Sequence, residues 1–64
     1  MEIYAIVEDG TLEIARHLSK GTGAMFTDLK MLKQHAWRYK SSDKQYKIAR
    51  YEVEELYDFK EVPD

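Results

Sequence analysis

The sequence predicts a small α+β domain of ββαβ order, a three-stranded antiparallel sheet (order 2-1-3) with one helix packed on one face. Three observations predict it. Apolar residues alternate with a period of two near both ends of the 64-residue chain, the pattern of half-buried strands. Asp9-Gly10 interrupts the first of these runs, the dipeptide favoured in two-residue hairpin turns. Between them and the last run, Leu29, Leu32, Ala36 and Tyr39 recur at helical spacing.

The first element places Ile3, Ala5 and Val7 on one face and Tyr4 and Ile6 on the other. A two-residue loop at Asp9-Gly10 sets Val7 opposite Leu12, Ala5 opposite Ile14 and Ile3 opposite Arg16. The hairpin is expected over 2–18. Ser19 to Ala24 holds Gly21 and Gly23 but no large apolar residue, and reads as a loop. A helix is expected over 27–40, with Thr27 as cap, Asp28 at the positive end of the dipole and Phe26 stapled onto Met31. Ser41-Ser42-Asp43 ends it.

A third strand is expected over 46–54, with two registers open. Either Tyr46 and Ile48, or Ala49, Tyr51 and Val53, face the core, unless a bulge admits both. The acidic tail, 55–64, carries Leu56, Tyr57 and Phe59; it can prolong the strand, form a short helix or dock on a partner. The first strand belongs in the middle of the sheet. One helix covers one side only, so Tyr4, Ile6 and Ala15 are expected on a bare apolar face. Either the C-terminal aromatics fold back over that face, or a protein partner or homodimer covers it.

The length allows one domain, 1–64. Cysteine is absent, which removes disulfides and thiolate metal sites. No apolar run approaches a membrane span, and Met1-Glu2-Ile3-Tyr4 lacks the basic segment of a signal peptide. The expectation is a cytoplasmic protein with no membrane partner. The net charge of −2 is unevenly spread: residues 1–26 are net −2, residues 27–50 net +5 and residues 51–64 net −5. The blocks either neutralise each other in the fold or form a basic and an acidic pole.

Metal binding finds no support: His17 and His35 stand on different elements without a ligand cluster. The serines and threonines lack a nucleophile context. Gly21-Thr22-Gly23 does not meet the phosphate-loop pattern, because Lys20 precedes the glycines. No catalytic residue and no cofactor is expected, and the chain reads as no enzyme. The best candidate site lies on the helix, where Lys30, Lys33, Trp37 and Lys40 fall within about 80° on a wheel of 100° per residue. Such a face suits an acidic protein surface with Trp37 as anchor, or a phosphate backbone with a stacked base. It equally suits a solvated face whose lysine stems cover the indole. The acidic pI of about 5.6 disfavours nucleic acid.

Met1-Glu2-Ile3-Tyr4-Ala5-Ile6-Val7-Glu8-Asp9-Gly10 and Tyr46-Lys47-Ile48-Ala49-Arg50-Tyr51-Glu52-Val53-Glu54-Glu55 together resemble short uncharacterised bacteriophage and prophage accessory proteins. Those share a strand-turn opening, a Leu/Lys-rich helix and a closing strand of Y-x-I-x-x-Y-E type. The resemblance implies a protein that binds one host or phage protein, such as a modulator or inhibitor of host transcription, replication or defence. It transfers no catalytic residue. The expected function is a non-enzymatic protein-interaction module, with a small nucleic-acid-binding protein as the alternative. The expected contact residues are Lys30, Lys33, Trp37 and Lys40 on the helix, Tyr4 and Ile6 on the sheet, and Glu54, Glu55, Tyr57 and Phe59 in the tail.

Overall fold

The computed structural model describes residues 1–60. Of the tail expected over 55–64, residues 61–64 lie outside the described residues. Strand β1 (Glu2–Glu8) is central, flanked by β2 (Met25–Phe26) and β3 (Tyr46–Glu52), both antiparallel to it. One helix, α1 (Leu29–His35), packs on one face and runs into a 3-10 turn, Ala36–Arg38. The α+β class and the 2-1-3 order are those that the sequence predicts.

The second strand is not where the hairpin rule puts it. Residues 11–18 form only isolated bridges, Val7 to Ile14 and Arg16 to Gly23, and the paired strand is Met25–Phe26. The two-residue turn is replaced by a wider one. Glu8 N–H donates to Glu13 O at 2.8 Å, Leu12 N–H donates to Glu8 O at 2.9 Å, and Val7 faces Ile14 in place of Leu12. A type I′ turn needs Asp9 at positive φ. Asp9 is instead held by β3: its N–H donates to Gln45 O at 2.9 Å and its carboxylate meets Lys47 at 3.4 Å. The reversal falls to Gly10 (φ 97°) and Leu12 (φ 61°).

Leu12 is the lone non-glycine at positive φ among the described residues, and it is largely exposed. That conformation strains a residue with a Cβ. Leu12→Gly is expected to stabilise the domain by ~0.5–1 kcal/mol after its own entropy cost, a rise of several degrees in Tm by calorimetry. An unchanged or lower Tm contradicts the strain.

Two chain segments thus share one edge of β1, and they close a ring of backbone hydrogen bonds. Ala15 N–H donates to Ile6 O at 2.8 Å, Ala24 N–H to Ala15 O at 2.9 Å, and Ile6 N–H to Ala24 O at 3.0 Å. Ala15 and Ala24 are buried at this junction, where three backbones converge and a larger side chain has no room. Beyond it the loop folds on itself. His17 N–H donates to Thr22 O at 2.7 Å, and His17 Nδ1 accepts from the Ser19 and Lys20 N–H groups at 3.1 Å each. Its ring meets Tyr39 edge-on at 5.3 Å. His17 therefore serves the loop.

The helix is shorter than the expected 27–40. Its cap is Asp28, whose carboxylate accepts from Lys30 N–H at 2.9 Å, in place of Thr27. Leu32 is buried, and Ala36 and Tyr39 pack on the core as the helical stripe predicts. The α geometry stops at His35, and the 3-10 turn is tied to the loop by Leu18 N–H donating to Arg38 O at 2.9 Å.

The faces of β1 are the reverse of the expectation. Tyr4 and Ile6 lie under the helix, in the core with Ala15, Ala24 and Leu32, ringed by Phe26, Tyr39 and Tyr46. Tyr4 pairs with Phe26, and Ile6 with Ile48, so the aromatic residues gather on the side that α1 covers. Ile3, Ala5 and Val7 occupy the other face. The register of β3 resolves toward Tyr46 and Ile48 on the helix side, with continuous pairing from Glu2–Glu52 to Glu8–Tyr46 and no bulge. The strand ends at Glu52, before the expected 54.

Candidate interaction surface

The helix packs over β1 and β2 and leaves the inner face of β3 largely uncovered. Ile48 points to the helix side yet is 48% exposed. A cleft of about 650 Å³ opens there, floored by Ile6, Leu32, Ala36 and Ile48 and rimmed by Lys33 and Lys40. Lys33 comes from α1 and Lys40 from just beyond the 3-10 turn, while the side chain of Lys47 turns to the opposite face beside Val7 and meets Asp9 at 3.4 Å.

Of the expected helix cluster, Lys33 and Lys40 share this cleft. Lys30 lines a shallow hollow with Lys33, Leu29 and Gln34. Trp37 lines a separate hollow with His17, Leu18, Lys20 and Arg38. The wheel assumed an unbroken helix; the 3-10 turn begins at Ala36 and changes the angular step from 100° to about 120° per residue. Trp37 is 69% exposed, with the Arg38 guanidinium over its ring at 5.1 Å. Tyr4 and Ile6, expected at a contact surface, are instead packed beneath the helix. Glu54, Glu55, Tyr57 and Phe59 are exposed, as is Leu56. Within this tail the Tyr57 hydroxyl donates to Glu55.

The sheet face opposite the one expected is partly exposed: Ala5 and Val7 at its centre are buried, and only the flanks are open. It carries Ile3, Ala5, Val7, Ile14, Met25 and Tyr51; Ile14, Met25 and Tyr51 are exposed. Ile48 as a cleft residue and Met25 as part of the sheet are not expected from the sequence. The signal for Met25 lay in Ala24-Met25-Phe26, a short apolar run just before the cap.

The charge blocks pair unexpectedly. The bases of β3 and its approach answer the acids of β1: Lys44 meets Glu8 at 2.6 Å, Lys47 meets Asp9 at 3.4 Å and Arg50 meets Glu2 at 3.3 Å. The α1 bases Lys30 and Lys33, Lys40 beyond the 3-10 turn, and the tail acids Glu54, Glu55 and Asp58 make no ion pair among the described residues. No helix among those residues is long and apolar enough to cross a membrane, and they hold no metal-binding group of His, Asp or Glu.

Two groups near β1 give a pH dependence. The Tyr4 hydroxyl donates to the Glu2 carboxylate at 2.6 Å, and this bond, with burial, raises its pKa above the ordinary tyrosine value. The Glu8 carboxylate raises that of Lys44. A raised folded-state pKa means a contribution complete below the unfolded value and lost as pH climbs through the folded one. Tm is therefore expected to fall once pH passes about 10, and less steeply in Tyr4→Phe than in wild type. Parallel profiles in thermal melts at pH 8 to 11 contradict this.

No family model matches the chain, and no curated protein or solved structure matches it.

Proposed function

We propose that the chain is a non-enzymatic protein-interaction module that docks an extended, acidic and apolar segment on β3 and the lysine-rimmed cleft beside it. The observation that carries this reading is the half-exposed Ile48 beside Lys33 and Lys40. An apolar floor supplies affinity and a basic rim selects the charge of the occupant. The neighbouring edge of β3 adds main-chain pairing, the mode of recognition by strand addition. The resemblance to phage accessory proteins fits the same reading, and modulation of a host protein is the role it implies.

The test is a titration of a labelled peptide alternating glutamate with isoleucine, followed by anisotropy. Binding is expected to weaken as salt rises. Ile48→Asp and Lys33→Glu/Lys40→Glu are each expected to weaken it by about tenfold, the equivalent of 1.4 kcal/mol. A lysine-isoleucine peptide that binds equally well refutes the reading.

A second reading is favoured by Trp37 with Arg38 and Lys20 beside it: an aromatic platform for single-stranded nucleic acid. Quenching of Trp37 by oligonucleotides, lost at high salt, supports it; flat titrations at low salt refute it.

A further inference from the structure

We propose that the occupant of the β3 edge is a second copy of the chain, paired antiparallel through β3 with Ala49 facing the partner's Ala49. The inference rests on the surface reading above for the location of the contact and names its partner.

Among the described residues β3 pairs with β1 alone, and the geometry of its outer edge is defined. Asp9 N–H donates to Gln45 O, and Val53 N–H donates to Met1 O. Antiparallel strands alternate in which side their main-chain groups face. The odd-numbered residues of β3 therefore bond β1, and Tyr46, Ile48, Arg50 and Glu52 direct their N–H and C=O groups away from it. An unpaired row of this kind is a template for another strand.

The charge pattern selects the mate and its direction. Lys44, Lys47 and Arg50 occupy the first half of the segment, and Glu52, Glu54, Glu55 and Asp58 follow. A parallel, in-register copy sets like charge on like. An antiparallel copy sets the basic half against the acidic half. Lysine and arginine on an edge strand ordinarily repel indiscriminate pairing; here a copy in the opposite direction answers them.

The Ala49 register engages the whole free edge. Ile48 exchanges main-chain hydrogen bonds with the partner's Arg50, and Tyr46 with the partner's Glu52. Lys47 faces the partner's Tyr51, and Lys44 faces the partner's Glu54. The exposed acidic tail of each copy is then carried toward Lys40 of the other, which makes no ion pair among the described residues, and past Lys44, which already meets Glu8.

Cysteine is absent from the sequence, so one introduced thiol reads the register. At a non-hydrogen-bonded pair the Cα atoms stand about 4.5 Å apart, within disulfide reach. Ala49→Cys is expected to form a disulfide-linked dimer under mild oxidation at least about tenfold faster than Lys47→Cys, whose partner thiol lies about 13 Å away along the strand. Lys47→Cys mixed with Tyr51→Cys is expected to cross-link as a heterodimer. Sedimentation of the unmodified chain is expected to show a reversible dimer. Ile48→Pro is expected to abolish it while circular dichroism stays unchanged, because the lost N–H faces away from β1; Ile48→Ala, which keeps that N–H, retains it in part.

A chain that sediments as a monomer up to millimolar concentration overturns the inference. So does fastest cross-linking through Ile48→Cys or Arg50→Cys, which marks another register. The acidic-peptide titration then decides the surface reading separately: a monomer that still binds the peptide through Ile48 leaves that reading standing and removes only the second copy.

Discussion

Leu32→Ala is expected to lower the unfolding free energy by about 2–5 kcal/mol, enough to leave a large share of the chain unfolded at 37 °C. Leu32 is 1% exposed and is one of the largest fully buried side chains among the described residues. A domain of this length has a total stability of roughly 3–10 kcal/mol at 0.05–0.15 kcal/mol per residue. Leu32 is also the one buried residue of α1, and it touches both sheet and cleft. Its loss removes apolar burial and leaves a cavity that the backbone ring of Ile6, Ala15 and Ala24 is too constrained to close. Met31→Ala, one position earlier on an exposed side chain, is the control and is expected to cost under about 1 kcal/mol. Urea denaturation of the two variants checks the contrast. Equal midpoints contradict the placement of Leu32 at the core.

What was legible in the sequence follows from which signals have a direction. The helical stripe does: a spacing of three and four defines one face, and Leu32, Ala36 and Tyr39 all lie on it. Strand alternation does not when both faces are apolar. In Glu2–Glu8, Tyr4 and Ile6 alternate with Ile3, Ala5 and Val7, and nothing local says which set meets the helix. The decision is tertiary, made by Phe26 and Tyr46 arriving on the side of Tyr4 and Ile6. The same logic explains the hairpin. Asp9-Gly10 is a strong local turn signal, but Asp9 is bound by Gln45 and Lys47, residues about forty positions away.

The candidate surface was legible in its chemistry and illegible in its grouping. Lys33 and Lys40 were found because lysines at helical spacing stand out. Their apolar companion Ile48 was not, because its exposure depends on how far the helix extends across the sheet. Trp37 falls on the same face only in a uniform helix; His35 leaves α geometry (φ −105°, ψ 2°) and the 3-10 turn at Ala36–Arg38 follows, so Trp37 lines the loop-side hollow instead. The charge blocks were read correctly as blocks, but their pairing runs across β1 and β3, which only topology determines.

Ala24→Leu is expected to damage the fold nearly as much as Leu32→Ala, by the opposite route. Ala24 is 0% exposed, and both its N–H and its C=O are spent in the ring with Ala15 and Ile6. Added carbons there force the three backbones apart; overpacking of this kind costs about 1–3 kcal/mol, and opening the ring detaches β2 from β1. Because β2 and β1 together carry α1, the helix shifts with them and the cleft under Lys33 loses its shape. Peptide binding should therefore fall alongside the urea midpoint, unlike in Leu12→Gly, where binding stays constant. Ala24 and Leu32 belong to one buried cluster, so volume added at one site can occupy the space vacated at the other. Leu32→Ala/Ala24→Leu is accordingly expected to be more stable than the sum of its single changes predicts, by a coupling of about 0.5–3 kcal/mol. Strict additivity in that cycle would mean that the two side chains do not share a space, and the account of the junction as the seat of the helix would fail with it.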